Sequence, residues 1–561
     1  MAGNNPQGQQ QYEQPADQEY YGAQEAPTGN TGEDLNALAS VPWMAIALAV
    51  HVIFLVIAWF VVPALPETVK IEIVQSAVDT TPLPPEPEMK QLEQTEWPKD
   101  EPPQENPTED PRITEDAKDD NNEDPSDQPN NDLAPNPNAD DSNAESPHPN
   151  KGPSSAVGLG GGAGGGGGRG GKGGFAYRRA RGGGGRKHDD RMRAALEWLK
   201  DHQNFEGHWS NTQFSEDSTR KNAKKTYNLE FASPGDPKGD KGWEASCDIG
   251  LTGMSLLAFV GAGFDHKDGD YRETCRRAIM YLRKVQANDG CFGPKDDDHF
   301  VYNHSICAMA LAEAYGLSGD SALKTTAERS LQFMVSAQNP DAGWRYGVRY
   351  GESDSSVTGW MVLALKSCKM AGLEFDSHKI YGDAAKWYDS VTVDVGGYPK
   401  TGYNLPGSDN ARLRAANDYI TNPSMDAINV MSRLFMGGEG WDTNNRVVKA
   451  QAKVMTEFLP AWDMLKIDYY YWYYASLALF QVGGSYWDKW EVAMAKTLLD
   501  NQRGFRPEDK GSTKDSLDEH GSWDAVDAWH VAGGRVYSTA INCLTLQVYY
   551  RYEKIKKGSA K

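Results

Sequence analysis

Three stretches of the sequence lack charge of one sign or of both signs. Residues 1–39 contain no lysine or arginine, residues 151–188 contain no aspartate or glutamate, and residues 41–62 carry no formal charge. A tail without basic residues, with no small-residue cleavage site after the apolar run, does not fit a cleaved signal peptide. The six cysteines contain no C-x-x-C pair, and thiols in apolar segments are ordinarily buried and free.

Proline, glycine and charge are concentrated in separate parts of the 561-residue chain. Of its 31 prolines, 18 lie within residues 63–153, and of its 57 glycines, 18 lie within residues 152–185. The net charge is −22, of which residues 64–150 carry −18, residues 151–188 carry +8 and residues 189–561 carry −6. Segments this charged and this poor in apolar residues do not bury a core. We therefore expect a mildly acidic folded domain behind a long acidic tether, and no nucleic-acid-binding fold.

The apolar run VPWMAIALAVHVIFLVIAWFVV occupies residues 41–62. At roughly 1.5 Å per residue, a helix of this length crosses the hydrocarbon layer of a bilayer, and Trp43 and Trp59 suit the two interfaces. We predict a single transmembrane helix here. His51 in its middle either contacts a polar partner, because an ionisable group in lipid is unfavourable, or is a neutral histidine tolerated in the span.

These shifts in composition divide the chain into six predicted segments. They are a disordered acidic and glutamine-rich tail (1–39), the transmembrane helix (40–63), a disordered proline- and acid-rich spacer (64–155), a glycine-rich basic linker (156–187), a folded helical domain (188–555) and a basic C-terminal tail (556–561). A proline-stiffened, self-repelling spacer followed by a flexible glycine linker lets the folded domain lie far from the membrane.

The segments VKIEIVQ and PLPPEPE follow the predicted span. A short polar tail, a single span with a central histidine and then a proline- and acid-rich spacer resemble the N-terminal anchor of TonB-type energy transducers, over about residues 40–110. The resemblance implies a bacterial inner-membrane protein with a periplasmic C-terminal domain, in contact with lipid and with an inner-membrane or envelope protein. One feature departs from it: Ala47 replaces the family's intramembrane serine. The positive-inside rule, with Lys70 as the first basic residue after the span, leans slightly toward a cytoplasmic C-terminus.

A glutamine followed by a glycine and an aromatic residue recurs in the folded part. The clear copies are Gln203–Gly207–Trp209, Gln286–Gly290–Phe292 and Gln338–Gly343–Trp344, and the weaker copies are Gly397–Tyr398, GGEGW ending at Trp441, and Gln502 with Trp523 after an insertion. Repeats at such spacing indicate a stacked repeat architecture. Each interval leaves room for one helix before the turn and one after it.

Helices predicted after these turns are apolar on all sides, as in CDIGLTGMSLLAFVGAG and DYYYWYYASLALFQVGG, whereas those before them are amphipathic, as in YRETCRRAIMYLRKVQ. The first kind favours burial and the second an outer position. We predict an all-α fold, an (α/α)6 toroid of six helix pairs. The pattern resembles the α/α-toroid superfamily of squalene and terpene cyclases and protein prenyltransferase β-subunits over roughly residues 190–555.

Aligned inner helices place acids at equivalent first-turn positions, and other repeats add polar and aromatic residues. The candidate residues for a cavity rim are Asp248, Tyr302, His304, Asp354, Trp360, Asp468 and Arg535. Rim aromatics are suited to stacking sugars, stabilising a cation or holding an apolar chain. The alternative for the acids is that they cap free N–H groups and complement helix dipoles.

The resemblance implies two kinds of chemistry, neither of which the sequence carries intact. Cyclases of this superfamily use a D-x-D-D motif, and the matching stretch here runs from Asp354 to Val357, where only the first acid is present. Prenyltransferases use an Asp, a Cys and a His around zinc, for which Asp248, Cys247 and His304 are the weak candidates. Cys247 and Asp248 are adjacent and point about 100° apart on a helix, so no cofactor is assigned.

The leading hypothesis is a membrane-anchored protein whose tether presents a toroid domain that binds a ligand or an envelope partner. One alternative is an enzyme on the same fold, acting on prenyl or terpenoid substrates or on polysaccharides. Another is a TonB-like, energy-coupled envelope protein. The ligand expected for the first hypothesis is an apolar molecule or a glycan.

Overall fold

The computed structural model describes the helical C-terminal part of the chain. It covers residues 186–231, 239–242, 246–297, 299–409, 421–463 and 465–551. The predicted transmembrane span, His51, the acidic spacer and almost all of the glycine-rich linker lie outside these residues. Within them, no helix is long and apolar enough to cross a bilayer.

The described residues are mostly helical, as the all-α class predicts. Their helices of ten residues or more are α1 (Arg186–Asp201), α2 (Cys247–Gly261), α3 (Arg272–Val285), α4 (Phe300–Ser318), α5 (Ser321–Ala337), α6 (Ser355–Met370), α7 (Ser377–Val391), α8 (Ser424–Met436), α9 (Arg446–Met455), α10 (Tyr469–Val482), α11 (Gly484–Asp500) and α12 (His530–Leu546). Short helices at Phe214–Asp217 and Val548–Arg551 and a 3-10 turn at Pro507–Asp509 lie between or after them.

Even-numbered and odd-numbered helices differ in burial. In α10, every residue from Tyr469 to Gln481 is buried, and in α2 every residue from Gly250 to Gly261 is buried. The odd-numbered helices bury one stripe only, as α3 does with Cys275, Ala278, Ile279 and Leu282. Helices that are apolar on all sides therefore form the interior, and amphipathic ones cover them.

Contacts between the even-numbered helices form a closed cycle. Each contacts the next along the chain, from α2 through α4, α6, α8 and α10 to α12, and α12 contacts α2. The first odd-numbered helix, α1, packs against α11, α12 and α2 and so covers the junction between the ends of the domain.

The repeated glutamines explain why the turns recur in sequence. Gln286 Nε2 donates to the carbonyl oxygen of Gly290 in its own turn at 3.1 Å and to that of Thr326 in α5 at 3.0 Å. Gln203 connects α1 to α3 and Gln338 connects α5 to α7 by the same pair of bonds. One amide therefore closes a turn and joins two neighbouring odd-numbered helices.

Gln502 does the same at the junction between the last and first odd-numbered helices. Its Nε2 donates to the carbonyl of Gly521 at 2.7 Å and to that of Arg191 in α1 at 2.8 Å. The split repeat copy is therefore structurally intact, and it joins α11 to α1.

The repeated tryptophans and glycines have separate structural roles. Trp344 Nε1 donates to the carbonyl of Met334 near the end of α5 at 2.8 Å, which satisfies one of the carbonyls left free at a helix C-terminus. Gly290 has φ +88°, and a Cβ there would lie 2.2 Å from the carbonyl oxygen of Arg329. Only glycine lets the turn approach the next helix this closely.

Two of the weaker repeat copies differ from expectation. Gly397 and Tyr398 belong to a hairpin between α7 and α8, in which β1 (Thr392–Val395) pairs antiparallel with β2 (Tyr398–Thr401). Trp441 lies between α8 and α9, at the end of an even-numbered helix rather than before one. The prediction for Trp441 is wrong, because the glycines that end α8 produce the same Gly–aromatic pattern.

Candidate functional site

All six even-numbered helices contribute to one cavity of about 270 Å³, here called the central cavity. Its walls come from the N-terminal turns of these helices and from the loops that precede them. The lining residues are Cys247, Gly250, Leu251, Met254, His299, Tyr302, Asn303, Ile306, Tyr346, Ser356, Trp360, Tyr403, Met425, Tyr470, Trp529, Ala532, Gly533 and Tyr537. None of these described residues is an aspartate, glutamate, lysine or arginine.

One part of the central cavity is formed by hydroxyl groups. The Tyr302 hydroxyl donates to Ser356 Oγ at 2.9 Å, and Ser356 Oγ lies 2.6 Å from the Tyr470 hydroxyl. The hydroxyls of Tyr346 and Tyr403 are hydrogen-bonded to each other. Burial and the nearby Asp354 carboxyl raise the pKa of Tyr302 and of Tyr470 well above the ordinary value, so both hydroxyls stay protonated. The hydroxyls of Tyr302, Ser356 and Tyr470 are here called the hydroxyl layer.

A second part lies one helical turn deeper and is apolar. Ile306 follows Tyr302 by one turn of α4, Trp360 follows Ser356 by one turn of α6, and Met254 lies on α2. These three side chains form the apolar layer. In α4 and α6, a polar lining residue in the first turn is therefore followed one turn later by an apolar one.

Asp354 lies behind the hydroxyl layer and is fully buried. Its Oδ1 accepts from the backbone N–H of Val357 at 2.8 Å, which caps α6. Within the described residues its Oδ2 has no hydrogen bond, and Arg345 Nε is 3.9 Å away. Burial raises the pKa of Asp354 to about 7, although the Val357 N–H and the Arg345 charge oppose the shift. The predicted rim acid is therefore a helix cap that lies close to the cavity without touching it.

Asp468 is likewise a helix cap. Its Oδ1 accepts from the backbone N–H of Tyr471 at 2.9 Å and from Trp529 Nε1 at 3.1 Å. The nearby Asp527 is also buried, and burial, followed by the charge of Asp468, raises its pKa well above the ordinary value. Asp468 therefore positions Trp529, which does line the cavity, and is not itself on the rim.

His304 points away from the cavity, into the contact between α4 and α5. Its Nδ1 accepts from the backbone N–H of Phe292 at 3.2 Å, and its Nε2 donates to the carbonyl of Ser330 at 3.1 Å. Burial lowers its pKa to about 3. In the described part of the chain no group of three or more His, Cys, Asp or Glu residues is placed to hold a metal ion, so Cys247, Asp248 and His304 are not brought together as a zinc site.

Asp248 is hydrogen-bonded to a loop and is not among the lining residues of the cavity. Its Oδ1 accepts from the backbone N–H of Asn211 at 2.8 Å. Burial raises the pKa of Asp248 to about 6. Asn211 Nδ2 in turn donates to the carbonyl of Ala532 at 2.8 Å, so this loop is fastened to the start of α12.

Arg535 also bonds to loop residues. It forms an ion pair with Asp240 at 2.7 Å and another with Asp524 at 2.7 Å, and it is buried. Its backbone N–H donates to the carbonyl of Asp240 at 3.0 Å, next to Gly534, which interrupts α12 with φ 56°. The predicted rim residue is therefore a structural ion-pair centre.

Two polar and charged loop insertions, about residues 210–243 and 503–521, pair with each other through their described residues. Lys224 and Leu517 form a parallel β-bridge. The buried Asp518 accepts hydrogen bonds from Ser218 Oγ at 2.6 Å and from the Tyr227 hydroxyl at 2.9 Å. Polar residues in these insertions thus form a buried network between the loops.

Of the predicted rim residues, Tyr302 and Trp360 line the cavity. Sequence reasoning did not identify Tyr346, Tyr403 or Met425 as cavity residues. Tyr346 follows the repeat tryptophan by two residues, which is a detectable signal once the turn is known. Tyr403 comes from the chain after the β-hairpin, and nothing in the sequence pattern predicts that this segment reaches the cavity.

Comparison with known proteins identifies no close relative. No protein-family model matches the chain, and no curated protein matches it. A solved structure described as a novel alpha-amylase from Clostridium perfringens is similar, with 11% identity and a TM-score of 0.39 over 64% of this chain and 98% of that chain. A crystal structure of a protein from Actinoplanes has 15% identity and a TM-score of 0.34 over 65% of this chain and 99% of that chain. TM-scores this low carry no argument about family or function.

Proposed function

We propose that the helical domain is an (α/α)6 toroid that binds a small, mainly apolar molecule in its central cavity. The observation that carries this proposal is that all six even-numbered helices line one cavity of about 270 Å³. Well-formed concave sites lined by aromatic and aliphatic side chains with a few polar groups are the usual form of small-molecule sites. A volume near the lower end of the range of about 300–1,000 Å³ for such sites suits a small ligand.

Burial of apolar surface would supply most of the binding free energy. Trp360 and Met254 expose only 3% of their surfaces, yet both face the cavity. Each 100 Å² of apolar ligand surface removed from water contributes roughly 2.5 kcal/mol before the entropy of association is subtracted. Aromatic rings add specific contacts because they are large and rigid.

We also propose that this domain belongs to a single-pass protein of the bacterial inner membrane. The uncharged run at residues 41–62 supports the anchor, and the acidic spacer that follows supports a tethered domain. In this proposal the domain lies in the periplasm, where it meets the bilayer or an envelope protein partner. A reporter that is active only in the periplasm, fused after Lys561, tests on which side of the membrane the domain lies. Activity of a cytoplasm-specific reporter at the same position would contradict the periplasmic placement.

Ligand binding is tested with the full-length protein in lipid nanodiscs. A brominated hydrocarbon that enters the cavity is expected to quench Trp360 and Trp529 fluorescence saturably, and an excess of its unbrominated analogue should reverse this quenching. Quenching that the analogue does not reverse, including that of Trp43 and Trp59 in the predicted span, is subtracted. Ala532→Phe places a ring in the cavity and should weaken this binding at least about tenfold, since lost cavity volume removes buried ligand surface.

Val492→Phe is the matched control, because Val492 is 70% exposed on α11. It should bind the probe as the wild type does. Equal binding by wild type and Ala532→Phe would place the binding elsewhere and contradict the proposal.

The second candidate function is an enzyme in which Asp354, which does not itself line the cavity, supplies a proton by way of the adjacent tyrosine hydroxyls. The observation that favours it is a carboxyl group with its pKa raised to about 7 beside the tyrosine layer, since a general acid works best with a pKa near the working pH. Asp354→Asn should then abolish turnover of a bound ligand while leaving its affinity within about twofold. Unchanged turnover in Asp354→Asn removes this candidate.

A further inference from the structure

The lining of the central cavity carries information about the charge of its ligand. No aspartate, glutamate, lysine or arginine is among its described lining residues. A buried charge without a partner is strongly unfavourable. The titratable imidazole of His299 does line the cavity, with its Nδ1 3.4 Å from Asp297 Oδ1. A diphosphate, a carboxylate or an ammonium group would therefore enter this cavity without an Asp, Glu, Lys or Arg side chain among the described lining residues.

Two of the helix N-termini around the cavity are occupied by side chains of the chain itself. Free N–H groups at a helix start can bind an anion. Asp354 accepts from the Val357 N–H in α6, and Asp468 accepts from the Tyr471 N–H in α10. The starts of α6 and α10 therefore each offer one N–H group fewer to an anion.

In α4 and α6, the lining residues change from polar to apolar along the helix. The hydroxyl layer of Tyr302, Ser356 and Tyr470 lies in the first turns of α4, α6 and α10. The apolar layer, with Ile306 and Trp360, begins one turn deeper. A ligand matched to both layers has one hydrogen-bonding group at one end and an apolar body.

The hydroxyl layer is suited to a neutral head group. Each tyrosine or serine hydroxyl has one donor hydrogen and can also accept. Ser356 Oγ is within hydrogen-bonding distance of both Tyr302 and Tyr470, so a rotating hydroxyl network can either donate to or accept from a ligand. An alcohol or a carbonyl group satisfies such a network without introducing charge.

We propose that the ligand of the central cavity is a neutral amphiphile with one hydroxyl or carbonyl group held by Tyr302, Ser356 and Tyr470. Its apolar body packs against Met254, Ile306 and Trp360 and is small enough for a cavity of about 270 Å³. This inference rests on the proposed binding function and adds the chemical class of the ligand. Its physical basis is the coincidence of a lining without Asp, Glu, Lys or Arg with a group of hydrogen-bonded hydroxyls in an otherwise largely apolar cavity.

The test compares four probes of matched chain length on the full-length protein in nanodiscs. They are dodecan-1-ol, dodecane, dodecyl phosphate and dodecyltrimethylammonium. Each competes with a brominated dodecanol for quenching of cavity tryptophans, and free probe concentrations are corrected for partition into nanodiscs without protein. Dodecanol should bind about fivefold more tightly than dodecane, the ratio expected for one net hydrogen bond, and at least about tenfold more tightly than either charged probe.

The role of the hydroxyl layer is tested with Tyr302→Phe, which keeps the ring and removes the hydroxyl. Its affinity for dodecanol should fall to that for dodecane, while dodecane binds as in the wild type. Tyr381→Phe is the matched control, because the Tyr381 hydroxyl is buried in α7, outside the cavity, without a hydrogen bond in the described residues. This control should bind dodecanol as the wild type does.

The outcomes separate the two proposals. If dodecane and dodecanol bind equally, or if dodecyl phosphate or dodecyltrimethylammonium binds as tightly as dodecanol, the neutral-amphiphile inference is overturned while apolar binding stands. If none of the four probes displaces the quencher and Ala532→Phe changes nothing, the proposed function itself fails.

Discussion

Asp354 and His304 are two buried titratable residues with opposite effects on stability. Burial raises the pKa of Asp354 to about 7, against about 3.9 in an unfolded chain. Between these values the folded state keeps a proton that the unfolded chain has released, so this contribution to stability falls as pH rises. Burial lowers the pKa of His304 to about 3, against about 6.5 unfolded, so its contribution falls as pH drops through that window. The two effects oppose each other between about pH 4 and pH 6.5.

Asp354→Asn isolates the first effect. Asparagine can still accept the Val357 N–H as a helix cap but does not titrate. The free energy of unfolding of the variant, relative to the wild type, should increase by on the order of 2 to 3 kcal/mol between pH 4.5 and pH 7.5. Chemical unfolding at both pH values, followed by far-ultraviolet circular dichroism, measures it.

Asp376→Asn serves as the control, because Asp376 caps α7 in the same way on the protein surface. The same measurements on Asp376→Asn give the reference for replacing a capping aspartate by asparagine. A difference for Asp354→Asn that does not change between the two pH values would mean that Asp354 ionises normally in the folded protein.

At the scale of helices and turns, the recurring unit is a hydrogen-bonded junction. One glutamine amide, one glycine and one aromatic residue close each clear turn and fasten it to the next odd-numbered helix. These features were readable from the sequence because the same local geometry demands the same residues each time. The structure at Gly397–Tyr398 could not be predicted in this way, because a β-hairpin occupies that position and its strands have no repeat signature.

Gly290→Ala tests whether close approach, and not backbone conformation alone, requires glycine. A Cβ at residue 290 would lie 2.2 Å from the Arg329 carbonyl oxygen, whereas one at Gly319, also at positive φ, meets nothing within 4 Å. Gly319→Ala should lower the free energy of unfolding by about 1 kcal/mol. Gly290→Ala should lower it by at least about 2 kcal/mol more, because the next helix must shift. Thermal and chemical unfolding measure both losses. Equal losses of unfolding free energy in Gly290→Ala and Gly319→Ala would contradict the packing explanation.

At the scale of the whole molecule, the domain is held together by contacts between its two ends. The last even-numbered helix contacts the first, and Gln502 joins α11 to α1 across this junction. The paired insertions add a second connection through Arg535, Asp240 and Asp524. The central cavity depends on this closure, since Ala532 and Tyr537 of α12 complete its lining.

Gln502→Ala should weaken the closing junction selectively. Loss of its two hydrogen bonds leaves buried carbonyl groups unpaired, at about 1 to 3 kcal/mol. Hydrogen exchange by mass spectrometry should therefore quicken in α1 and α11 more than elsewhere. Gln286→Ala, which removes the same pair of bonds inside the domain, should quicken exchange in α3 and α5 instead. An unchanged exchange rate in α1 of Gln502→Ala would argue that the insertions alone hold the junction.

The candidate site was only partly accessible from sequence. Tyr302 and Trp360 line the cavity because helical periodicity brings the first two turns of buried helices to one end of the domain. Asp248, Asp468 and Arg535 were not cavity residues, because each was needed to satisfy backbone N–H groups or opposite charges nearby. Residue type alone does not distinguish a cap or an ion pair from a ligand-binding group.

The sequence by itself determined the class of fold, the alternation of buried and amphipathic helices and the positions of the clear turns, because these follow from local periodicity and from residues that the backbone geometry requires. Only the tertiary structure decided which side chains meet in the cavity, that its described lining contains no Asp, Glu, Lys or Arg, and that the hydroxyls of Tyr302, Ser356 and Tyr470 are grouped there. Those properties depend on contacts between residues far apart in the chain, such as Ser356 and Tyr470, and local patterning does not encode such distances.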